Sequence, residues 1–227
     1  MVRVLFVWNT AGASTPVSDW FIRNGYDSTI IMHNDYDAYG MTAGAMSSIM
    51  PTTLRSFYES IVNIIRSFRP THIHVNSNIR TVPIIRATAP YTPVVFQYHG
   101  DDVRFRSRIH LEVEYLTDRV IVSTPDLQQY GEVYGCPVHE SFVPKGGREE
   151  GTALLIIGAN AHEDKSDVAK QYCRENDLEL TILDCRKGES VPFSQMPEFL
   201  SKFEFYFDFK GINALSKKAI EAVACGC

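Results

Sequence analysis

Short apolar runs alternate along the chain with stretches in which apolar residues recur at helical spacing, and many of the runs end in small polar residues. Apolar, β-branched runs of this length predict buried strands. In the first two thirds of the chain they lie at 2–8, 28–32, 73–75, 93–98 and 119–123, with a further extended piece at 138–143. Helical segments are predicted at 53–68, 81–89 and 127–134. Strands that alternate with helices predict an α/β fold built on parallel strands.

The best candidate for a domain boundary is residues 144–151, which read PKGGREEG. This stretch is charged and rich in glycine, and it lacks apolar periodicity, as is typical of a linker. A second alternation follows, with strands predicted at 153–158, 178–184 and 203–209 and helices at 166–175, 197–202 and 214–225. We therefore predict two Rossmann-like, doubly wound parallel-sheet domains, at 1–146 and 151–227.

The candidate functional residues are polar residues at the ends of predicted strands. Residues 93–102 read PVVFQYHGDD, so an apolar strand ends at His99 and Gly100. Ligands in open α/β sheets bind outside the carboxyl ends of strands, and histidine titrates near neutral pH. The structural alternative is an ordinary loop in which Asp101 or Asp102 caps a helix and His99 bonds only locally. The first loop, 9–16, contains Gly12 and can cradle a phosphate or sugar, although it is not a GxGxxG motif.

Composition excludes several classes of protein. The chain has 227 residues, of which 44% are hydrophobic and 22% charged, which is an ordinary globular balance. The net charge of -5 argues against a general nucleic-acid binder. No apolar run approaches the roughly 20 residues of a membrane span, and the first run is too short for a secretion signal, so we expect a cytoplasmic protein. Five cysteines without a CxxC pair favour neither a disulfide scaffold nor a zinc site.

Four stretches together carry a family resemblance: 71–77 (THIHVNS), 93–102 (PVVFQYHGDD), 117–126 (TDRVIVSTPD) and 215–226 (LSKKAIEAVACG). They resemble motifs of the GT-B glycosyltransferases, in particular the retaining family 4 group. The resemblance implies two Rossmann-like domains that face each other across a cleft. It also implies transfer of a sugar from a nucleotide-diphosphate sugar to a hydroxyl acceptor, with retention and with neither a metal nor another cofactor. The acceptor (glycan, lipid or protein) is left open, and peripheral contact with a membrane is compatible with this reading.

The resemblance also assigns roles to residues. His99 matches the active-site histidine that contacts the transferred sugar, and Glu221 matches the glutamate that holds the ribose hydroxyls of the donor. The remaining donor-binding candidates are Ser216, Leu215, Ala214, Asn213 and Lys165, with His162 a weaker one. On the acceptor or phosphate side the candidates are Gly12, Ala13 and Asp101. The structural alternatives are an exposed surface pair of Glu221 with Lys217 and a solvated loop charge for Lys165.

Two departures from the family keep other functions open. Asn213 stands eight positions before Glu221, where the family often has a second glutamate. The sequence ends at Cys227, where family members continue with another βα unit, so we expect the second domain to be incomplete. Both departures favour an alternative in which a catalytically impaired or truncated relative binds a nucleotide, a sugar or a protein partner. A sugar-binding receptor or an epimerase of related fold is a third reading.

Overall fold

The computed structural model describes residues 1–37, 40–100, 112–158, 164–209 and 216–227. The chain divides into two compact units, Met1–Pro137 and Val138–Cys227, each of which is described by itself below. The predicted domain limits, 1–146 and 151–227, stay a prediction. None of the helices within the described ranges is long and apolar enough to cross a membrane.

The described part of the first unit contains one parallel sheet of seven strands. In chain order these are β1 (Arg3–Val7), β2 (Asp27–Ile31), β3 (Ser48–Ile49), β4 (His72–Asn76), β5 (Val94–Tyr98), β6 (Arg119–Val122) and β7 (Glu132–Val133). Their order in the sheet is β3-β2-β1-β4-β5-β6-β7, with parallel pairing throughout. The first six positions follow the Rossmann order. The order reverses between β1 and β4, and ligands of such sheets bind above the carboxyl ends of the strands at that point.

Helices α1 (Ser14–Arg23), α2 (Leu54–Phe68) and α3 (Val82–Thr88) pack on this sheet. The alternation of side chains along each strand gives the sheet two apolar faces. On one face, Leu5 and Val7 of β1 join the large core that contains Phe57 and Ile61 of α2. On the other face a smaller cluster packs against α1. Because α1 begins directly after β1, the sheet core fixes the loop that joins them.

The second unit contains a smaller parallel sheet. Its strands are β8 (Glu149–Ile157), β9 (Glu179–Asp184) and β10 (Phe203–Phe207), in the order β10-β8-β9. The described helices are α4 (Ser166–Glu175), α5 (Met196–Leu200) and α6 (Lys217–Ala224). Leu155, Ile157 and Ala169 form the buried apolar cluster between β8 and α4. The prediction of an α/β protein with parallel sheets is confirmed.

One local prediction is wrong, and one short strand was not predicted. The predicted helix at 127–134 is a short 3-10 turn, Pro125–Leu127, followed by β7, which pairs with β6. A Cβ on Gly131 would lie 2.7 Å from the carbonyl oxygen of Val120, so this glycine allows the backbone to approach β6 closely. Residues 138–143 form no strand, and the two-residue strand β3 was not predicted.

Candidate functional site

Three neighbouring strands of the first sheet end in backbone conformations with positive φ. Trp8 follows β1 with φ 71°, Ser77 follows β4 with φ 57°, and Gly100 follows β5 with φ 149°. For a residue with a side chain this region costs about 1–2 kcal/mol. Trp8 is held there by its N–H, which donates to the Ile31 carbonyl at 2.8 Å. Strained backbone of this kind is concentrated at binding and catalytic sites.

A row of hydrogen-bonded side chains runs across the carboxyl ends of these strands. Asn76, at the end of β4, donates from Nδ2 to Ser14 Oγ at 2.8 Å, and its Oδ1 lies 2.8 Å from His99 Nε2. The other ring nitrogen, His99 Nδ1, lies 2.8 Å from Ser123 Oγ. Gln97 Nε2 donates to the same Ser123 hydroxyl at 3.0 Å. We call Ser14, Asn76, His99, Ser123 and Gln97 the strand-tip network.

The network fixes the tautomer of His99. Since the Asn76 amide nitrogen donates to Ser14, its oxygen is the atom that faces the imidazole and accepts from Nε2–H. In the neutral ring, Nδ1 is then the acceptor for the Ser123 hydroxyl. The Cys136 thiol lies beside the same nitrogen, with Sγ 3.5 Å from Nδ1. His99 is therefore held between an amide on one side and a hydroxyl and a thiol on the other.

A cavity of about 270 Å³ lies next to this network, within the first unit. Its lining residues are Phe6, Ala13, Ser14, Val17, His74, Asn76, Gln97, Ile121, Tyr134, Gly135 and Pro137. His74 Nε2 is buried and has no hydrogen-bond partner in the described part of the chain. Burial lowers the pKa of His74 to about 4, although an interaction with Gln97 opposes the shift. The ring is therefore neutral at physiological pH.

The first loop is already internally satisfied. The N–H groups of Gly12, Ala13 and Ser14 donate to the Asn9 carbonyl, the Thr10 carbonyl and Asn9 Oδ1, respectively. Gly12 has φ 68°, and a Cβ at this position would overlap the sulfur of Met41. A phosphate at Gly12 and Ala13 would have to replace these hydrogen bonds, so their predicted role stays a prediction.

In the second unit, a carboxylate of the chain, Asp208, already binds at the start of helix α6. Ser216 caps the helix by accepting from the Ala219 N–H at 3.1 Å. The Ser216 N–H itself donates to Asp208 Oδ2 at 2.9 Å. A helix N-terminus attracts negative charge, and here a carboxylate of the chain occupies one of its N–H groups.

Glu221 is only 7% exposed, which excludes an exposed surface pair. The pairing itself is present, because Glu221 Oε1 lies 3.6 Å from Lys217 Nζ. Burial raises the pKa of Glu221, while Lys217 and Lys218 lower it. Burial likewise raises the pKa of Tyr206, with a further contribution from Asp208 and Glu221. These groups form a largely desolvated ionisable cluster around the start of α6.

Two basic residues, Lys165 and Arg186, lie near α4, and the predicted role of Lys165 stays a prediction. Lys165 is exposed at the residue before α4. Arg186, which sequence reasoning missed, lies between two carboxylates, with Nη2 2.6 Å from Asp164 Oδ2 and 2.8 Å from Asp184 Oδ2. The guanidinium lowers the pKa of Asp184 to about 2. The other predicted site residues, Asp101, His162, Asn213, Ala214 and Leu215, lie outside the described residues.

Sequence reasoning found His99 but not its partners. The available signals were the polar end of residues 71–77 and the two-residue spacing that places His74 and Asn76 on one face of β4. No group of three or more His, Cys, Asp or Glu side chains that could hold a metal ion occurs among the described residues. No protein-family model and no curated protein matches the chain.

Proposed function

We propose that this chain is a glycosyltransferase of the GT-B type, which moves a sugar from a nucleotide-diphosphate sugar to a hydroxyl acceptor with retention. The observation that carries the proposal is the position of His99 at the carboxyl end of β5. It is hydrogen-bonded to Ser123 after β6 and to Asn76 at the end of β4, which borders the point where the strand order reverses. This is where open α/β sheets bind ligands, and His99 was identified from the sequence by its family motif. The proposal includes two domains that face each other across a cleft, and a cytoplasmic location.

The first unit would supply the groups that orient hydroxyls. Amide, hydroxyl and imidazole groups all hydrogen-bond to sugar hydroxyls, and the strand-tip network contains each of them. Its members are hydrogen-bonded to one another, so a substrate would bind side chains whose rotamers are already fixed. Such preorganisation lowers the entropic cost of aligning an acceptor with the reacting carbon.

The second unit would stabilise the leaving diphosphate. Departure of a nucleoside diphosphate leaves negative charge, which cations and helix N–H groups stabilise when they are already in place. Lys217 lies in the first turn of α6, and the Ser216 N–H already donates to a negatively charged group, the Asp208 carboxylate. Glu221, buried on the same helix, would bind the ribose hydroxyls as the family motif implies.

A binding module that does not transfer sugar is the second candidate. One observation favours it: the N–H groups of residues 12–14 are used within their own loop, which leaves that loop closed to a phosphate. Such a protein would bind a nucleoside diphosphate through α6 without turnover.

The test is to incubate the full chain with radiolabelled UDP-, GDP- and ADP-glucose and to measure both sugar release and equilibrium binding of UDP, GDP and ADP. Under the proposal, at least one donor is turned over. Glu221→Gln weakens nucleotide binding, and His99→Asn reduces turnover with little change in nucleotide binding. The matched controls are Glu175→Gln and His72→Asn, at two exposed positions of the same units.

The outcomes separate the candidates. Nucleotide binding that depends on Glu221 but occurs without turnover supports the binding module and contradicts the transferase. If wild type binds no nucleotide and releases no sugar, both fail. If His99→Asn and His72→Asn release sugar at the same rate, the strand-tip network takes no part in the reaction.

A further inference from the structure

The cavity in the first unit extends beyond the strand-tip network, with which it shares Ser14, Asn76 and Gln97. One wall is the start of α1, with Ala13 and Val17, and the floor is the sheet, with Phe6, His74 and Ile121. The third wall is the segment from Tyr134 to Pro137. Tyr134 and Gly135 are exposed, so the cavity borders solvent beside them. It is larger than the engineered apolar cavity of about 150 Å³ that binds benzene.

The lining is uncharged, and its polar side chains are Ser14, His74, Asn76, Gln97 and Tyr134. None of the lining residues is Asp, Glu, Lys or Arg. The ring of His74 lies against Phe6, with centroids 5.4 Å apart, and its Nε2 is buried without a hydrogen-bond partner among the described residues. A buried polar atom without a partner costs about 1–3 kcal/mol. A ligand that reached this atom would remove that cost.

The neutral state of the ring decides which ligand fits. Burial keeps the pKa of His74 far below physiological pH, so the ring offers no positive charge to an anion. Neutral imidazole presents Nε2 either as an N–H donor or as an acceptor, according to its tautomer. A hydroxyl group donates and accepts, so it satisfies either tautomer, whereas a methyl group satisfies neither.

We propose that this cavity binds a compact, uncharged alcohol of about the size of phenol. Its ring lies among Phe6, Val17 and Ile121, and its hydroxyl reaches His74 Nε2. The proposal does not depend on the transferase activity, because every residue that it uses lies in the first unit and none holds the donor.

The experiment titrates the full chain with phenol, toluene and benzoate and follows binding by saturation-transfer NMR. Phenol is expected to bind more tightly than toluene, and benzoate, which is charged, is expected not to bind. His74→Phe lowers the affinity for phenol about tenfold, the value of one hydrogen bond, and leaves toluene binding unchanged or stronger. Val17→Phe fills the cavity and lowers the affinity for both neutral probes.

The matched control is Ile22→Phe, which makes the same kind of change on helix α1 at a position that does not line the cavity. Tryptophan fluorescence shows whether each variant is folded, since Trp8 and Trp20, the two tryptophans of the chain, both lie in the first unit. The proposal is overturned if no probe binds wild type, if benzoate binds as well as phenol, or if folded Val17→Phe binds phenol as well as Ile22→Phe does. A folded His74→Phe variant that loses phenol and toluene equally would overturn the assignment of the hydroxyl to Nε2.

Discussion

The buried imidazole of His74 makes the stability of the first unit depend on pH. In the folded protein burial lowers the pKa of His74 from the ordinary value of 6.5 to about 4. The unfolded chain therefore binds the proton first as the pH falls. The contribution of this histidine to stability is complete above about pH 6.5, and it is lost as the pH falls toward 4.

The magnitude follows from the displacement of the pKa. Each pKa unit corresponds to 1.36 kcal/mol, so the full shift is worth about 3 kcal/mol. For a single titrating group, the free energy of unfolding should fall by about 1.4 kcal/mol between pH 7.5 and 5.5, and by about 2.5 kcal/mol between pH 7.5 and 4.5. Other groups add their own pH dependence, so the quantity to compare is the difference between wild type and a variant without the imidazole.

The assay is urea denaturation followed by tryptophan fluorescence at these three pH values. Both tryptophans lie in the first unit, so the signal reports unfolding of that unit. His74→Phe should lose about 2.5 kcal/mol less than wild type between pH 7.5 and 4.5. His72→Phe, at an exposed position of the same strand, should follow wild type. If His74→Phe and wild type lose the same free energy over this range, the imidazole is not buried in its neutral form and the reasoning is refuted.

Three further changes test the packing around the site and in the second unit. Gly12→Ala should destabilise the first unit by about 2–4 kcal/mol in urea denaturation, because the residue has a positive φ and the new Cβ overlaps the Met41 side chain. Gly25→Ala, where φ is positive but the space is open, should cost only about 1 kcal/mol. Asn76→Ala should cost about 1–3 kcal/mol, since it removes the acceptor of the His99 Nε2–H and the donor to the buried Ser14 hydroxyl. Asn78→Ala, which removes no capping hydrogen bond, should change stability by less than about 0.5 kcal/mol, and equal costs would contradict the network. Asp184→Asn should reduce the acid sensitivity of the second unit, as measured by circular dichroism between pH 4 and 2. The depressed pKa of Asp184 means that its ionised form stabilises the fold above pH 4 and that this contribution is lost as the pH falls toward 2. An unchanged acid transition would show that the pair of Asp184 with Arg186 contributes nothing to stability.

The local pattern of apolar and polar residues predicted most of the strands. It also pointed to His99, because a strand that ends in polar residues can be recognised from about ten consecutive residues. The partners of His99 could not be read in the same way. Asn76 and Ser123 are 23 and 24 residues away, and they meet the imidazole only because β4, β5 and β6 are neighbours in the sheet. Sheet order is a non-local property, which the chain encodes in packing rather than in any short motif.

The misread helix at 127–134 has a related cause. Its periodicity favoured a helix, but Gly131 allows the backbone to lie against β6, and the extended pairing of β7 replaces the helical turn. The missed cavity follows from the same limit. The residues of β1, β4, β5 and β6 that line it are separated along the chain and come together only after the sheet has formed.

The strand-tip network has a direction, because a carbonyl oxygen accepts at each end. The Ser14 hydroxyl donates to the carbonyl of Trp8, and the Gln97 amide donates both to Ser123 and to the carbonyl of Tyr134. Reversing every donor in the row would leave both carbonyls without these bonds, so the proton of His99 is held on Nε2. Nδ1 is therefore the ring atom that accepts a hydrogen bond, and a hydroxyl that took the place of Ser123 would donate to it. The orientation of one imidazole is thus set by backbone carbonyls that follow strands far apart in the sequence.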